Sequence, residues 1–91
     1  MEQSYLIFCH RGARYGIDVG FVREIVWLPA LAPVEESPLH VVGIFNLRGR
    51  VVPVIDLGLR FGHPRQPCLI SDCVIVIDCG PMLMGIIAST V

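Results

Sequence analysis

The chain has 91 residues, of which 54% are hydrophobic, and its formal net charge is −1. This composition predicts one compact domain, spanning residues 1–91, and argues against a disordered tail. All 7 cationic residues are arginines scattered along the chain, which argues against a nucleic-acid partner, and the surplus of apolar residues points instead to a protein partner.

Short apolar runs separated by turn residues dominate the chain. β-Branched and large apolar residues favour strands, whereas glycine, proline and aspartate mark the turns. Short strands joined by brief turns are typical of a small β-barrel. The predicted strands and extended segments, in chain order, are residues 4–10, 14–17, 25–28, 44–47, 51–55, 72–78 and 82–88.

A turn through Gly12 joins the first two strands, and a short helix is predicted after the second. Asp18 is a suitable N-cap for this helix. Ile17 and Val22 occupy the N′ and N4 positions of a hydrophobic staple.

The central segment predicts a tight hairpin with an arginine on each side of its turn glycine. Gly49 can adopt the positive φ that such a turn requires, so Arg48 and Arg50 lie at or beside the tip. Pro53 cannot donate a ladder hydrogen bond, which predicts an edge strand, a bulge or an outward-facing position.

Asp56 ends the second strand of this hairpin and is well placed to cap a short helical turn. That turn is predicted over residues 57–61, with Gly62 closing it.

The four cysteines show no CxxC pair and no histidine at metal-ligand spacing. We interpret them as small buried hydrophobes. The alternation of the strand places Cys73 and Cys79 on one face together with Ile75 and Ile77.

No recognisable catalytic set is present. The sequence contains no HExxH, GxSxG, phosphate-binding glycine loop or paired-carboxylate pattern. The histidines fall in or next to turns and loops, and we interpret each as a solvated polar residue. The chain is therefore not expected to be an enzyme, and no cofactor is expected.

The chain begins Met-Glu-Gln without a basic region, and charges interrupt its apolar runs before they reach the length of a membrane span. We expect a cytoplasmic protein without direct membrane insertion.

Several blocks carry a family resemblance. Residues 46–57, NLRGRVVPVIDL, resemble the core signature of the CheW-like domain, the adaptor module of bacterial chemotaxis arrays. Residues 15–25 resemble its strand-to-short-helix segment, residues 41–49 its central hairpin, and residues 73–91 its next two strands. The order and spacing of these blocks agree, so the resemblance implies a mainly all-β fold of small SH3-like barrels with one or two short helices.

The resemblance also implies a function. Family members are non-enzymatic adaptors that couple chemoreceptors to a histidine kinase, and Arg48 lies in the NLRG context implicated in receptor contact. Val22 and Glu24 in the FVREI block, and Gly43 before the hairpin strand, match positions associated with receptor binding; Asn46 completes the predicted site. The expected partners are the cytoplasmic signalling tip of a chemoreceptor and the kinase regulatory domain, which has the same fold.

Simpler structural interpretations stay open at three of these positions. Arg48 can be a solvated charge at a hairpin tip, Val22 a core contact, and Gly43 a point of close backbone approach or a bulge.

The resemblance stops within residues 85–91, where a full module continues, so roughly the last third of the module is expected to be missing and the second barrel incomplete. Unpaired strand edges invite pairing with another copy, and we expect a homo-oligomer or a strand-swapped dimer. Two alternatives stay open: a self-associating barrel or inactive fragment without receptor binding, and a thiol-based metal or redox protein.

Overall fold

The structure, a computed structural model, describes residues 3–35, 38, 40–64 and 66–91. Strands account for most of the regular structure, which confirms the predicted mainly β fold. The elements are β1 (Tyr5–His10), β2 (Ala13–Asp18), a 3₁₀ turn (Val19–Phe21), β3 (Val22–Trp27), β4 (Val41–Leu47), β5 (Arg50–Ile55), α1 (Leu57–Arg60), β6 (Cys73–Asp78) and β7 (Leu83–Ala88).

The strands form two sheets. β1 and β2 pair as an antiparallel hairpin, while the other five strands pair in the order β3, β6, β7, β5, β4. β5 and β7 run parallel, and the remaining neighbours are antiparallel. The small hairpin is tied to the end of β7, because the Cys9 N–H donates to the Thr90 carbonyl at 2.9 Å.

The five-stranded sheet curls until its two edges approach each other. The chain that follows β3 returns to β4, where Ala32 and Ile44 exchange two backbone hydrogen bonds of 2.8 and 2.9 Å. Farther along the same seam, Arg48 of the β4–β5 turn forms an ion pair with Glu24 of β3. These contacts close the sheet into a small barrel.

Two core clusters lie on opposite faces of this sheet. β6 is buried on both, with Val74 and Val76 on one face and Cys73 and Ile75 on the other, which is why its sequence is continuously apolar. Each fully buried Val or Ile contributes about 1.5–3 kcal/mol. The first core cluster, inside the barrel, contains Phe45, Val52, Val54, Val74, Val76, Leu83 and Ile87. The second core cluster, under the β1–β2 hairpin, contains Phe8, Cys73, Ile75, Ile86 and Ala88.

The predicted first helix is shorter than expected. Asp18 does cap it, since its Oδ1 accepts a hydrogen bond of 2.8 Å from the Gly20 N–H. The turn lasts only three residues, however, and Val22 already begins β3 and pairs with Ile77 of β6. The helical staple is therefore wrong: Ile17 and Val22 both pack against the second core cluster, and strand pairing prevails over a weak helix containing Gly20.

The capped turn after β5 is confirmed. Oδ1 of Asp56 accepts hydrogen bonds from the backbone N–H groups of Gly58 (2.8 Å) and Leu59 (3.3 Å). Gly62 follows α1 with a φ of +87°, as a left-handed C-terminal residue requires.

Pro53 does not mark an edge strand, because β5 lies between β4 and β7. Its parallel pairing with β7 covers only Val54 and Ile55. Pro53 thus lies just before the residues of β5 that pair with β7. Its missing N–H therefore removes no hydrogen bond of that pairing.

Two predictions of side-chain environment are wrong. Cys68 and Cys79 are exposed, and Cys79 lies beyond the end of β6, so only Cys73 among the cysteines is buried. His10 is 3% exposed and belongs to the interior, because β1 continues to this residue and places it beneath the end of β7. None of the helices among the described residues is long and apolar enough to cross a membrane.

A substitution at Gly43 tests whether the barrel closes as described. A Cβ at this position would lie 2.8 Å from Cβ of Leu31 and 3.0 Å from the carbonyl oxygen of Ala32. We expect Gly43→Ala to lower the free energy of unfolding by about 1–3 kcal/mol in chemical denaturation. Gly16→Ala is the control, since its Cβ would meet only the mobile end of the half-exposed Ile7 side chain. Equal losses in both variants would contradict the closure.

Candidate functional site

The β4–β5 turn is a two-residue type I′ turn. Leu47 and Arg50 form the last strand pair, and both residues between them have positive φ, +49° at Arg48 and +86° at Gly49. Oδ1 of Asn46 accepts a hydrogen bond of 2.8 Å from the Gly49 N–H. Asn46 therefore shapes the turn, and Arg48 occupies a backbone conformation that asparagine or glycine adopts at lower cost.

The β1–β2 turn repeats this geometry with the same dipeptide. Arg11 has a φ of +50° and Gly12 a φ of +86°. The two hairpins thus present an arginine from matching backbone positions, and their environments can be compared directly.

Arg11 is held by a partly buried network. Its guanidinium donates two hydrogen bonds to the carboxylate of Asp72, of 3.2 and 2.8 Å, one of 2.9 Å to the Pro67 carbonyl, and one of 3.0 Å to Oγ of Ser89. Burial opposes ionisation of Asp72, but hydrogen bonds from Arg11 and the Leu69 N–H outweigh it and lower the pKa of this carboxyl. Arg11 is therefore a structural residue.

Arg48 stands in a different environment. Its side chain is 70% exposed, and its ionic partner Glu24 is 27% exposed. Exposed ion pairs contribute about 0–1 kcal/mol, so this pair can be exchanged for a partner at little cost. We call the surface formed by Asn46, Arg48, Gly49 and Glu24 the tip surface.

The structure brings three of the five predicted site residues together at the tip surface, namely Asn46, Arg48 and Glu24. Val22 is half-buried against the second core cluster, on β3 just before the bulge that precedes Glu24. Gly43 is buried beneath the chain at Leu31 and Ala32. Partner contact by all five residues stays a prediction.

The His10 side chain joins a partly buried Ser–His–Asp series. Its Nε2 lies 3.2 Å from Oδ2 of Asp56, and its Nδ1 lies 3.2 Å from Oγ of Ser89. Hydrolases use the same order of residues. Here, however, Oγ of Ser89 also accepts hydrogen bonds from the backbone N–H (3.1 Å) and the guanidinium (3.0 Å) of Arg11. An oxygen engaged in this way is a poor nucleophile, so the series connects β1, β5 and β7 structurally.

The thiols and acids offer no metal centre within the part of the chain that the structure describes, where no group of three or more potential ligands occurs. Burial, together with the neighbouring Asp72 carboxylate, raises the pKa of the Cys73 thiol. That thiol stays protonated and unreactive near neutral pH.

Sequence reasoning missed the network of His10, Arg11, Asp72 and Ser89. One available signal was the repeated RG dipeptide, in HRGAR and LRGRV, which places two arginines in equivalent turns. The burial of the first and the exposure of the second follow from how the hairpins pack.

Comparisons with known proteins agree with this architecture. The family described as CheW-like domain matches residues 4–91. A chemotaxis protein CheW from Klebsiella aerogenes is 34% identical over 89 residues, covering 98% of this chain and 54% of that protein. A chemotaxis protein CheW from Treponema pallidum is 42% identical over 71 residues, covering 77% of this chain and 41% of that protein.

A solved structure gives the same result. The crystal structure of the scaffolding protein TtCheW from Thermoanaerobacter tengcongensis matches with a TM-score of 0.87 and 30% identity, covering 99% of this chain and 62% of that one. The predicted small-barrel fold is consistent with this match. The chain spans about half the length of the curated relatives named above.

The two RG turns allow a matched test of the network. We expect Arg11→Gln to lower the free energy of unfolding by about 3 kcal/mol at pH 7, because it leaves the buried Asp72 carboxylate without its cation. Arg48→Gln should change it by no more than about 1 kcal/mol, since its ion pair is exposed. Similar losses in the two variants would contradict the assigned roles.

The pH dependence of the same variants has a defined sign. With a lowered pKa, Asp72 stabilises the wild type above its unfolded pKa of about 3.9, and this contribution is lost as the pH falls through the folded value. Without Arg11, we expect the pKa of Asp72 to be higher, because burial is then opposed mainly by the Leu69 N–H hydrogen bond, and the buried carboxylate then disfavours folding as the pH rises. The stability difference between wild type and Arg11→Gln should therefore narrow from pH 7 to pH 4 in denaturation curves.

Proposed function

This chain belongs to the CheW-like domain family, and on that premise we propose that it is a non-enzymatic chemotaxis adaptor that couples chemoreceptors to a histidine kinase. The observation that carries the proposal is the contrast between the two RG turns. The fold uses Arg11 to neutralise a buried carboxylate, whereas Arg48 adopts an equally costly backbone conformation and forms only an exposed ion pair with Glu24. Backbone strain that no strong contact within the chain offsets is characteristic of functional positions.

The proposed mechanism is adhesion at the tip surface. The cytoplasmic signalling tip of a chemoreceptor, a helical hairpin, docks beside β3, and apolar contacts near Val22 and Gly43 supply affinity. Arg48 and Glu24 exchange their mutual ion pair for contacts with the receptor and so set the register and the approach rate. Asn46 keeps the turn in the conformation that presents Arg48.

The second partner in this proposal is the regulatory domain of the kinase, which has the same fold, and the coupling takes place in the cytoplasm. No covalent step is required. The Ser–His–Asp series, whose serine oxygen accepts two hydrogen bonds from Arg11, and the protonated Cys73 thiol support a binding role in place of a catalytic one.

Arg48→Asn tests the receptor contact without disturbing the turn, because asparagine adopts positive φ readily. We expect the free energy of unfolding to stay constant or rise, while affinity for a soluble chemoreceptor signalling-tip fragment falls about tenfold, the effect of one lost charge-assisted hydrogen bond. Binding can be measured by calorimetry, with the exposed Arg60→Gln as a control. Unchanged binding in both Arg48→Asn and Val22→Ala would contradict the proposed site.

We also propose that the chain self-associates through the outer side of β3. Among the described residues this strand pairs only with β6, and its Ile25 and Trp27 side chains are 44% and 77% exposed. Both side chains line an open groove of about 950 Å³ that also includes Cys73 and Val91. A second copy of the chain can fill this apolar groove. If no receptor binding accompanies self-association, the alternative of an assembly-only barrel is correct.

Trp27→Glu should convert the assembly to a monomer in size-exclusion chromatography with light scattering, because it places a charge in the apolar groove. Ile70→Glu is the matched control, since Ile70 is 95% exposed and is not among the groove residues. A monomeric wild type at high concentration, or an assembly insensitive to Trp27→Glu, would contradict this interface.

A further inference from the structure

Three arginines surround a small depression beside the tip surface. It has a volume of about 120 Å³ and is lined by Arg23, Leu47, Arg48, Arg50 and Leu83. We call it the arginine pocket. Arg48 belongs to the predicted receptor site, whereas Arg23 and Arg50 lie outside it.

The topology explains why these residues meet. β5 and β7 run parallel, so their first residues, Arg50 and Leu83, lie at the same end of the sheet. β3 is antiparallel to β6, which is antiparallel to β7, so β3 also begins at this end and brings Arg23. Closure of the barrel then adds the β4–β5 turn with Arg48.

The pocket carries more positive than negative charge. Arg48 forms an ion pair with Glu24. Nη1 of Arg23 lies 3.4 Å from Oδ2 of Asp78, and the Arg23 and Asp78 side chains are both nearly half exposed. Within the part of the chain that the structure describes, Arg50 has no acidic partner. The two existing pairs are exposed and weak, so an incoming anion can recruit their guanidiniums.

The size and lining of the pocket restrict what it can bind. A volume of 120 Å³ corresponds to about four water molecules, which is too small for a cofactor and sufficient for one carboxylate. Leu83 is buried and Leu47 half-buried, so most of the exposed lining is polar, which suits a small anion. Planar guanidiniums match the paired oxygens of a carboxylate.

We propose that the arginine pocket binds the carboxylate of one acidic side chain on the partner protein, with Arg50 as the primary contact and Arg23 as its support. This inference rests on the proposed function, because it specifies the chemistry by which the receptor tip is recognised. It adds an acidic residue of the partner as the determinant of binding at the end of the barrel.

The first experiment measures affinity for a soluble chemoreceptor signalling-tip fragment. Arg50→Gln should weaken binding about tenfold, the effect of one lost charge-assisted hydrogen bond, and Arg60→Gln should leave it unchanged. Acidic residues of the fragment are then replaced singly by their amides. One replacement should reproduce the loss and add no further loss when combined with Arg50→Gln.

The second experiment tests the pocket without a protein partner. The arginine Nε–Hε resonances of the full chain are followed by NMR during titration with sodium acetate, and separately with inorganic phosphate, at constant ionic strength. Acetate should shift the Arg50 and Arg23 resonances saturably and leave Arg60 unaffected. Arg50→Gln should remove the saturable shift at Arg23.

The outcomes separate the two proposals. Saturable acetate shifts in a chain that does not bind the tip fragment support a carboxylate pocket and overturn the receptor-coupling function. Tip binding that is insensitive to Arg50→Gln overturns the pocket and leaves the receptor-coupling function standing. Saturation by phosphate with no response to acetate overturns the assignment of a carboxylate.

Discussion

Closure of the five-stranded sheet is the constraint on which the other features depend. The sheet curls around the first core cluster until the chain after β3 bonds to β4 through Ala32 and Ile44. That return requires the two backbones to approach so closely that only a residue without a Cβ fits at Gly43. The same closure carries the β4–β5 turn across to β3, which places Arg48 against Glu24 and both of them beside Arg23 and Arg50.

The two RG turns show how one local geometry serves two purposes. Both hairpins hold an arginine at positive φ, which costs about 1–2 kcal/mol relative to glycine. For Arg11 the cost is offset by neutralising the buried Asp72 carboxylate. For Arg48 the return within the chain is a single exposed ion pair, which is too weak to offset the strain. We propose that contacts with a binding partner supply the remaining stabilisation in the complex. Because the Arg48–Glu24 ion pair is weak, both side chains can exchange it for contacts with that partner.

Local features could be predicted from the sequence because they depend on neighbouring residues. The strands, the Gly49 turn and the caps at Asp18 and Asp56 are of this kind. Features that depend on tertiary packing could not. The burial of His10 follows from how the β1–β2 hairpin meets β7, and the internal position of the strand containing Pro53 follows from the parallel pairing of β5 with β7.

In the candidate site, too, the local features could be predicted from the sequence and the features that depend on tertiary packing could not. The NLRG motif located the tip, but nothing local in the sequence places Glu24 within contact of Arg48 or gathers Arg23 and Arg50 around one depression. Only the closed barrel does so. Val22 and Gly43 lie outside the tip surface, since Val22 packs against the second core cluster and Gly43 lies beneath Leu31, so their contribution to receptor contact stays a prediction.

NMR can map directly the surface of the chain that the receptor tip covers. Amide resonances of the chain are recorded with increasing amounts of a soluble chemoreceptor signalling-tip fragment, and the Trp27 indole N–H serves as the reporter of the opposite groove. We expect the largest shifts at residues 46–50 and at Glu24, with little change at Trp27. Shifts confined to Trp27 and its groove, or no shifts at all, would mean that the receptor does not dock at the tip surface.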